Sequence, residues 1–442
     1  MNWSAIPDLA AVALLICAFA SVARHTQQPV SGLWLTGWLM ILTHFSSGMF
    51  IQDTGVIGQF ATVIFSASLV WAGHLYMHAS IPYRKDRSSR WMLSLLLASN
   101  TLYVAILSLE PGNRWALNLS AGMLGLCPIG ILLSSIRRVN HPLRWVISFL
   151  YGSLAGFLLI YQNRPGGTDL AWNALMFTVY LGCSIFVCCA YRRATAGAFV
   201  TIAGFFSWAS VFVAAPMLAT FLPQAHIEHE VWNLPKFVVA VGMMLLLLED
   251  QIEHNKHLAL HDELTGLPNR RLFLDRINNA LERSRRTGTQ MALLVVDLDG
   301  FKQVNDSMGH HVGDLLLQRV AMLFSERVRR SDTVSRTGGD EFSLILEEPT
   351  NREEAEQVEE SLRMLLSDPL DLVDQRVRIG ASIGIAIFPE DATDAESLCI
   401  AADLRMYDAK HRARMLRQET ASAQQKFLAE RQSDTDRELG LA

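Results

Sequence analysis

Long apolar stretches in the first 250 residues constrain this chain more than any other feature of its sequence. A helix of about 20 mostly apolar residues crosses a bilayer. Nine candidate spans are present, at roughly 6–23, 33–51, 56–80, 91–109, 115–136, 145–162, 170–190, 198–222 and 232–249. Only 22 of the first 250 residues are charged, against 59 of the remaining 192. The sequence therefore predicts a polytopic α-helical membrane domain over 1–249, embedded in a lipid bilayer and followed by a water-soluble domain. The split excludes a single soluble enzyme, a disordered chain and a basic protein with a nucleic-acid partner.

Positive charges between the spans predict their orientation. Loops after even-numbered spans hold only Arg114 and Arg164. Loops after odd-numbered spans hold Arg24, Arg84, Lys85, Arg87, Arg90, Arg137, Arg138, Arg144, Arg192 and Arg193. Because positively charged loops stay in the cytoplasm, we expect the N-terminus outside and everything after residue 250 in the cytoplasm.

Histidines inside the predicted spans are candidate functional groups, since ionisable side chains are costly in a bilayer. His44 lies in the second span, and His74 and His78 share one helix face in the third. They are candidates for binding haem or a metal, and the alternative is a set of hydrogen-bonded core or interfacial histidines. A further polar cluster predicts either a metal sensor or a solvated loop: His226, Glu228, His229 and Glu230.

A connector helix is predicted over 250–262, continuous with the last span. Its apolar seam has alternating spacings of three and four residues, and consists of Leu245, Leu248, Ile252, Asn255 and Ala259. This spacing is typical of a short coiled coil, in which a core asparagine fixes the register. A simple amphipathic linker is the alternative.

The soluble part alternates helix and strand patterns, as an α/β or α+β domain does. Helices are predicted over 270–286, 311–330, 352–366 and 394–412, and strands over 291–296, 333–336, 341–347, 375–379 and 381–388. The second and third strands are joined by a glycine turn and form a hairpin. We assign 263–415 to this domain and 416–442 to a polar tail.

Three carboxylates stand at the ends of these strands. Asp297 follows the first strand, and Asp340 and Glu341 lie at the hairpin turn beside Gly338 and Gly339. Mg²⁺ binds through one or two carboxylates together with water and phosphate oxygens, and glycine lets the backbone approach a bulky phosphate. The pattern indicates a magnesium-dependent nucleotide site, and the alternative is an ordinary solvated turn.

The segment Gly338-Gly339-Asp340-Glu341-Phe342 resembles the signature of GGDEF-domain diguanylate cyclases. The resemblance covers about 258–415 and includes, in order, 262–271, 297–302, 305–306, 309–310, 313–314, 382–386, 402–403, 406–407 and 409–410. It implies a ferredoxin-like, nucleotidyl-cyclase-like α/β fold. It also implies condensation of two GTP molecules into cyclic di-GMP and pyrophosphate by a homodimer, with Mg²⁺ or Mn²⁺, at a bacterial inner membrane.

The resemblance also implies a role for individual residues. The metal ligands would be Asp297, the backbone carbonyl of Leu298, Asp340 and Glu341, of which Glu341 is alternatively the base for the 3′-hydroxyl. Asn305 and Asp314 would read guanine. The other substrate-binding residues would be Phe301, Lys302, Gly338, Gly339, Lys410 and Arg414. Arg329 and Asp332 resemble the family's product-inhibition site, with Arg363 as a loose candidate for a second arginine.

The sequence departs from the family at three places near the site. Gly300 is smaller than the usual residue, Thr337 replaces an aromatic, and 413–415 keep only Arg414 of a common Gly-Arg-Asn. Two other functions stay open: a cyclic di-GMP receptor with vestigial catalysis, and a transporter with an attached cyclase. We expect no phosphodiesterase EAL domain after residue 415.

Overall fold

The computed structural model describes residues 6–415, apart from 26–28, 54, 81–86, 136–141, 192–193, 223, 225–228, 349–350 and 373–374. The chain divides into two compact units, the N-terminal unit Met1–Glu253 and the C-terminal unit His254–Ala442. Several positions singled out in the sequence lie outside the described residues: Arg84, Lys85, Arg137, Arg138, Arg192, Arg193, His226, Glu228 and the tail 416–442.

Nine helices form the described part of the N-terminal unit. They are α1 (Ile6–His25), α2 (Pro29–Gly48), α3 (Val56–Ala79), α4 (Arg87–Leu109), α5 (Arg114–Ser135), α6 (Pro142–Tyr161), α7 (Gly167–Ala190), α8 (Ala196–Phe221) and α9 (His229–Leu260). Five of them, α1, α3, α7, α8 and α9, are long and apolar enough to cross a membrane. These five support a membrane region, and the count of nine spans stays a prediction.

Buried aromatic side chains and close backbone contacts hold these helices together. Trp34, Trp38 and Tyr76 are almost fully buried in the core. A Cβ at Gly204 would lie 2.9 Å from the Val239 backbone nitrogen, and one at Gly242 would lie 2.6 Å from the Thr201 nitrogen. Glycine therefore lets α8 and α9 approach closely, as small residues do between membrane helices.

The last helix of the N-terminal unit, α9, runs without interruption to Leu260. It ends where His261 forms a bridge with Pro268, two residues earlier than the predicted end at 262. Leu248 and Ile252 of the predicted seam are 44% and 53% exposed in the single chain. This exposure leaves the seam accessible to a partner helix, and the coiled coil stays a prediction.

The C-terminal unit has an α/β fold, as predicted. Its elements are α10 (Arg270–Thr287), β1 (Met291–Asp299), α11 (Phe301–Met308), α12 (His310–Arg327), β2 (Thr333–Arg336), β3 (Glu341–Glu347), α13 (Arg352–Ser367), β4 (Leu370–Leu372), β5 (Gln375–Val377), β6 (Gly380–Phe388) and α14 (395–415). The main sheet has the strand order β2-β3-β1-β6, and β4 and β5 form a separate hairpin.

Several elements differ from the sequence prediction. The helix predicted over 311–330 ends at Arg327, and the one predicted over 394–412 continues to residue 415. The first strand continues through Asp299, because Leu298 and Asp299 still pair with β6. The short helix α11 was not predicted; it begins after Gly300, whose φ of 87° only glycine adopts readily. The strand β4 was also not predicted, and it has only three residues.

Each face of the main sheet covers a different core. Leu294, Val296 and Leu298 of β1 point into the core that includes α12 and α13. Leu293 and Val295 point to the other face, where they pack with side chains of α10 and α14. Because successive side chains alternate between faces, Asp297 shares the face of Val295, towards α10 and α14.

Candidate active site

The end of β1 and the β2–β3 turn bring the three predicted carboxylates together. Asp297 lies opposite Glu341 in the antiparallel register of β1 and β3. The Leu298 backbone N–H donates to the Asp340 carbonyl oxygen at 3.2 Å. These backbone contacts fix the turn against the strand, so the positions of the acids follow from the sheet itself.

Asp297 is the most buried of these acids, with a side chain that is 7% exposed. Its Oδ2 accepts a hydrogen bond from Lys410 Nζ at 2.7 Å. Within the described part of the chain, its Oδ1 is buried and has no hydrogen-bond partner. A buried carboxylate oxygen without a partner is costly, and a divalent cation would satisfy it. The donor set of carboxylate and carbonyl oxygens therefore fits a hard cation such as Mg²⁺.

Burial and mutual repulsion raise the pKa of the two acids at the turn. For Asp340, burial is the larger cause and the charge of Asp297 adds to it, while Lys410 and Arg336 oppose the rise. Burial also raises the pKa of Glu341, and the neighbouring charges of Asp297, Asp340 and Asp403 raise it further. A cation bound here would relieve this repulsion.

Arg336 holds the turn in place, and the sequence did not single it out. Its guanidinium donates to the Gly339 carbonyl oxygen from Nη2 at 2.7 Å and from Nε at 3.1 Å. The same group contacts both carboxylate oxygens of Asp262, at 2.9 and 3.0 Å. Arg336 thus connects the opening segment of the unit to the glycine turn. In the sequence, the sign of this role was a single arginine three residues before Gly339, the second glycine of the turn.

Local structure explains why glycine is present at two positions near the site, Gly338 and Gly300. A Cβ at Gly338 would lie 2.8 Å from Glu341 Oε2, so a side chain there would displace the carboxylate. Gly300, which departs from the family pattern, caps α11 in a left-handed conformation. The first turn of α11 holds Phe301 and Lys302, and Lys302 is exposed. The N-terminus of a helix attracts phosphate, which fits the predicted role of both residues.

Asn305 and Asp314 lie on neighbouring helices, α11 and α12. A side chain at Gly313 would overlap the Asn305 amide oxygen, so the glycine allows the two helices to meet there. Asn305 Oδ1 is buried and lacks a hydrogen-bond partner among the described residues. Asp314 is exposed at the start of α12. A vacant acceptor beside an exposed carboxylate suits the N–H groups on the donor edge of guanine.

The two residues of α14 that are predicted to bind phosphate, Lys410 and Arg414, differ in their surroundings. Lys410 pairs with Asp297, so in this structure it neutralises the carboxylate that is predicted to bind the metal. Arg414 is exposed, one helical turn further along α14. The structure thus brings Asp297, Asp340, Glu341 and Lys410 into one site.

Comparison with known proteins identifies this unit. Residues 259–416 match the family described as "Diguanylate cyclase, GGDEF domain". The C-terminal unit is a GGDEF domain. The match has nearly the same bounds as the resemblance read from the sequence.

Two curated relatives come from Pseudomonas aeruginosa. The bifunctional diguanylate cyclase/cyclic di-GMP phosphodiesterase MucR is 32% identical over 393 residues, which are 81% of this chain and 54% of MucR. The diguanylate cyclase TpbB is 38% identical over 168 residues, which are 38% of this chain and 39% of TpbB. The chain therefore spans about half or less of these relatives. A solved structure of the TpbB GGDEF domain is 38% identical in sequence. The match covers 34% of this chain and 89% of the chain in that structure, with a TM-score of 0.34.

The predicted product-inhibition residues of the GGDEF domain have local partners. Asp332 accepts from the Arg329 backbone N–H at 2.9 Å and from the Glu347 N–H at 3.1 Å. The Arg329 side chain forms an ion pair with Glu354 and is 65% exposed. Arg363 forms ion pairs with acids of its own helix. A ligand at this surface would have to compete with Glu354 for Arg329.

His44 and His74 of the N-terminal unit, outside the GGDEF domain, are buried and hydrogen-bonded. His44 Nδ1 contacts the Phe65 carbonyl oxygen at 2.8 Å, and His74 contacts the Val70 carbonyl and the Tyr151 hydroxyl. His78 is also buried. Among the described residues, no three His, Cys, Asp or Glu side chains are grouped closely enough to hold a metal by themselves, either at these histidines or at Asp297, Asp340 and Glu341, where a cation would also need the Leu298 carbonyl and phosphate oxygens. These contacts favour core histidines over the haem or metal hypothesis.

Proposed function

We propose that this protein is a membrane-bound diguanylate cyclase, which condenses two GTP molecules into cyclic di-GMP and releases two pyrophosphates. The observation that carries the proposal is the buried Asp297 with one unsatisfied oxygen, held by sheet register beside Asp340 and Glu341. Two relatives that match this domain, MucR and TpbB, carry diguanylate cyclase in their names, which supports the same activity here.

The chemistry follows from the placement of the site residues. In each of two steps, a ribose 3′-oxygen forms a bond to the α-phosphorus of the other nucleotide. The bond from that phosphorus to the bridging oxygen breaks, and pyrophosphate leaves. A bound Mg²⁺, or Mn²⁺ in its place, would polarise the phosphoryl oxygens and neutralise the developing charge. Asp297, Asp340 and the Leu298 carbonyl would hold it.

The remaining residues would bind and orient the nucleotide. Phe301 and Lys302, at the N-terminus of α11, would bind the β- and γ-phosphates, and Asn305 and Asp314 would read guanine. Lys410, which pairs with Asp297 in this structure, and Arg414 would bind the same phosphates. Glu341 would complete the metal site or accept the 3′-hydroxyl proton; a raised pKa suits a group that takes up a proton.

Each chain contains one set of these groups, whereas the reaction consumes two nucleotides. A homodimer in which two GGDEF domains face each other would supply both sets. The N-terminal unit would anchor the protein in a bacterial inner membrane with the GGDEF domain in the cytoplasm, as the loop charges predict. A signal in the membrane unit would act by shifting the equilibrium between two packings of the connector helix.

Cyclic di-GMP would also bind at Arg329 and Asp332 and limit its own synthesis. The exposed Arg329 guanidinium is a planar fork that suits a phosphate or the acceptor edge of guanine. The two backbone hydrogen bonds of Asp332 hold the turn that presents this arginine.

The test is product formation by the full-length protein in detergent, with GTP and MgCl₂, measured by chromatography of cyclic di-GMP. Asp340→Ala and Glu341→Ala should each lower the rate by about 100-fold or more, since each removes a preorganised charge from the site. EDTA should stop the wild type, and added Mg²⁺ should restore it. An unchanged rate in both variants would refute the assignment. Tight product binding without any turnover would instead favour the receptor.

A further inference from the structure

An apolar stripe runs along the outer side of α14. Ile400, Leu404, Tyr407 and Met415 are 54%, 62%, 63% and 49% exposed. Together with His411 they recur at every third or fourth position, so they share one helix face. We call these five residues the α14 stripe. Large apolar side chains that line up on an exposed face mark an interaction surface more often than scattered ones do.

The α14 stripe borders the active site. On a helix of 3.6 residues per turn, Asp403, Lys410 and Arg414 form the row next to it. Ile400 lines a cleft of about 700 Å³, to which Glu341 and Asp403 also contribute. A molecule that covers the stripe therefore lies next to the side chains that handle the nucleotide.

The charges of α14 are divided between its two halves. Residues 395–404 contain two acids, Glu396 and Asp403, and no base. Residues 405–415 contain one acid, Asp408, and four bases: Arg405, Lys410, Arg412 and Arg414. If two copies of α14 pair antiparallel, the acidic half of each lies against the basic half of the other. Ile400 and Leu404 of one copy then face Met415 and His411 of the other, with Tyr407 at the centre.

We propose that the α14 stripe is the surface on which a second copy of this chain docks, through antiparallel pairing of two α14 helices about a two-fold axis near Tyr407. This inference rests on the proposed function, because the condensation needs two nucleotides and one chain holds groups for one. A two-fold interface is self-complementary by construction, and the charge division of α14 has that property. The pairing places the row that contains Lys410 and Arg414 in one copy beside the same row of the other copy, so the two sites adjoin.

The first test compares two substitutions at equally exposed apolar positions. Leu404→Glu places a charge in the centre of the α14 stripe, while Met364→Glu does so on α13, where Met364 is 61% exposed. In the full-length protein, Leu404→Glu should lower the initial rate by about tenfold or more, as a charge at the centre of an interface does. It should leave binding of a non-hydrolysable GTP analogue within twofold per chain. Met364→Glu should keep the wild-type rate.

The second test measures proximity directly. A residue near a two-fold axis lies close to its own copy, so Tyr407→Cys should form an intermolecular disulfide under mild oxidation in the presence of the GTP analogue. Met364→Cys and the wild type, run in parallel, give the background from other positions and from the native cysteines. The expected result is a dimer band in Tyr407→Cys well above both controls.

The outcomes separate the two proposals. If the wild type forms no product, the proposed function fails, while the disulfide still reports on pairing. If the wild type is active but Leu404→Glu keeps its rate, the docking surface is wrong. A loss of rate without the Tyr407→Cys disulfide would indicate that the α14 stripe contacts the bilayer or residues 416–442 instead. That result would also overturn the pairing of two copies.

Discussion

At the scale of the residue, the site depends on carboxylates that the fold keeps partly out of water. Asp297 has an unsatisfied oxygen, and the pKa of Asp340 and of Glu341 is raised by burial and by their negative neighbours. Charged groups in such a position bind a cation strongly, because its charge removes both the repulsion and the desolvation cost. The arrangement favours cation binding at neutral pH and weakens it in acid.

The raised pKa values predict the pH dependence of the reaction. The acids must be deprotonated to act, so the rate should fall on the acid side at a pH above the ordinary carboxyl value of about 4. Asp403 is one of the charges that raise the pKa of Glu341. In Asp403→Asn the pKa of Glu341 should fall, and the acid limb of log kcat/KM against pH should move to lower pH. Asp408→Asn, on the same helix, should leave the limb in place; an upward shift in Asp403→Asn would contradict the account.

Asn305 provides a second prediction at this scale. Its buried oxygen lacks a partner among the described residues, and guanine would supply the missing N–H. Removal of one hydrogen bond costs about 0.5–1.5 kcal/mol, so Asn305→Ala should raise the KM for GTP by about two- to tenfold. Asn279→Ala, at an exposed asparagine of α10, is the control. An unchanged KM in Asn305→Ala would exclude Asn305 from base recognition.

At the scale of the element, the sequence predicted most of the C-terminal unit because its patterns are local. The strands predicted over 333–336 and 341–347 match β2 and β3 at both ends. The short helix α11 escaped prediction because eight residues carry too little periodicity, and its start depends on the backbone conformation of Gly300. The carboxylates and glycines of the site could be predicted from their motif. The pairing of Lys410 with Asp297 could not, because 113 residues separate them.

Arg336 connects the opening segment of the GGDEF domain to the glycine turn, and this contact provides the next prediction. Its planar fork binds Asp262 and the Gly339 carbonyl oxygen at once, and lysine cannot reproduce that geometry. Arg336→Lys should therefore lower kcat by about tenfold or more, as misplacement of catalytic groups does, with KM for GTP within about threefold. Thermal unfolding and steady-state kinetics should be measured together. A variant with wild-type kcat would show that the turn keeps its position without this contact.

At the scale of the whole molecule, the chain combines a helical unit suited to a membrane with a GGDEF domain. Five long apolar helices support the first assignment and a family match over 259–416 supports the second. The similarity to MucR covers 81% of this chain, so it extends into the N-terminal unit. The sequence predicts this division from its charge density and its apolar stretches, because a bilayer would exclude charged side chains along its whole thickness. We expect a stimulus to act through the N-terminal unit, where the contacts of His44 and His74 favour a packed core.

The central claim is that two GTP molecules become one cyclic di-GMP at the Asp297–Asp340–Glu341 site. The most direct measurement is the stoichiometry of a complete reaction by the purified full-length protein with GTP and Mg²⁺, in which cyclic di-GMP and pyrophosphate are quantified together. The account predicts two pyrophosphates for each cyclic di-GMP and no product from Asp340→Ala. Pyrophosphate release without cyclic di-GMP, or the same yield from Asp340→Ala, would contradict it.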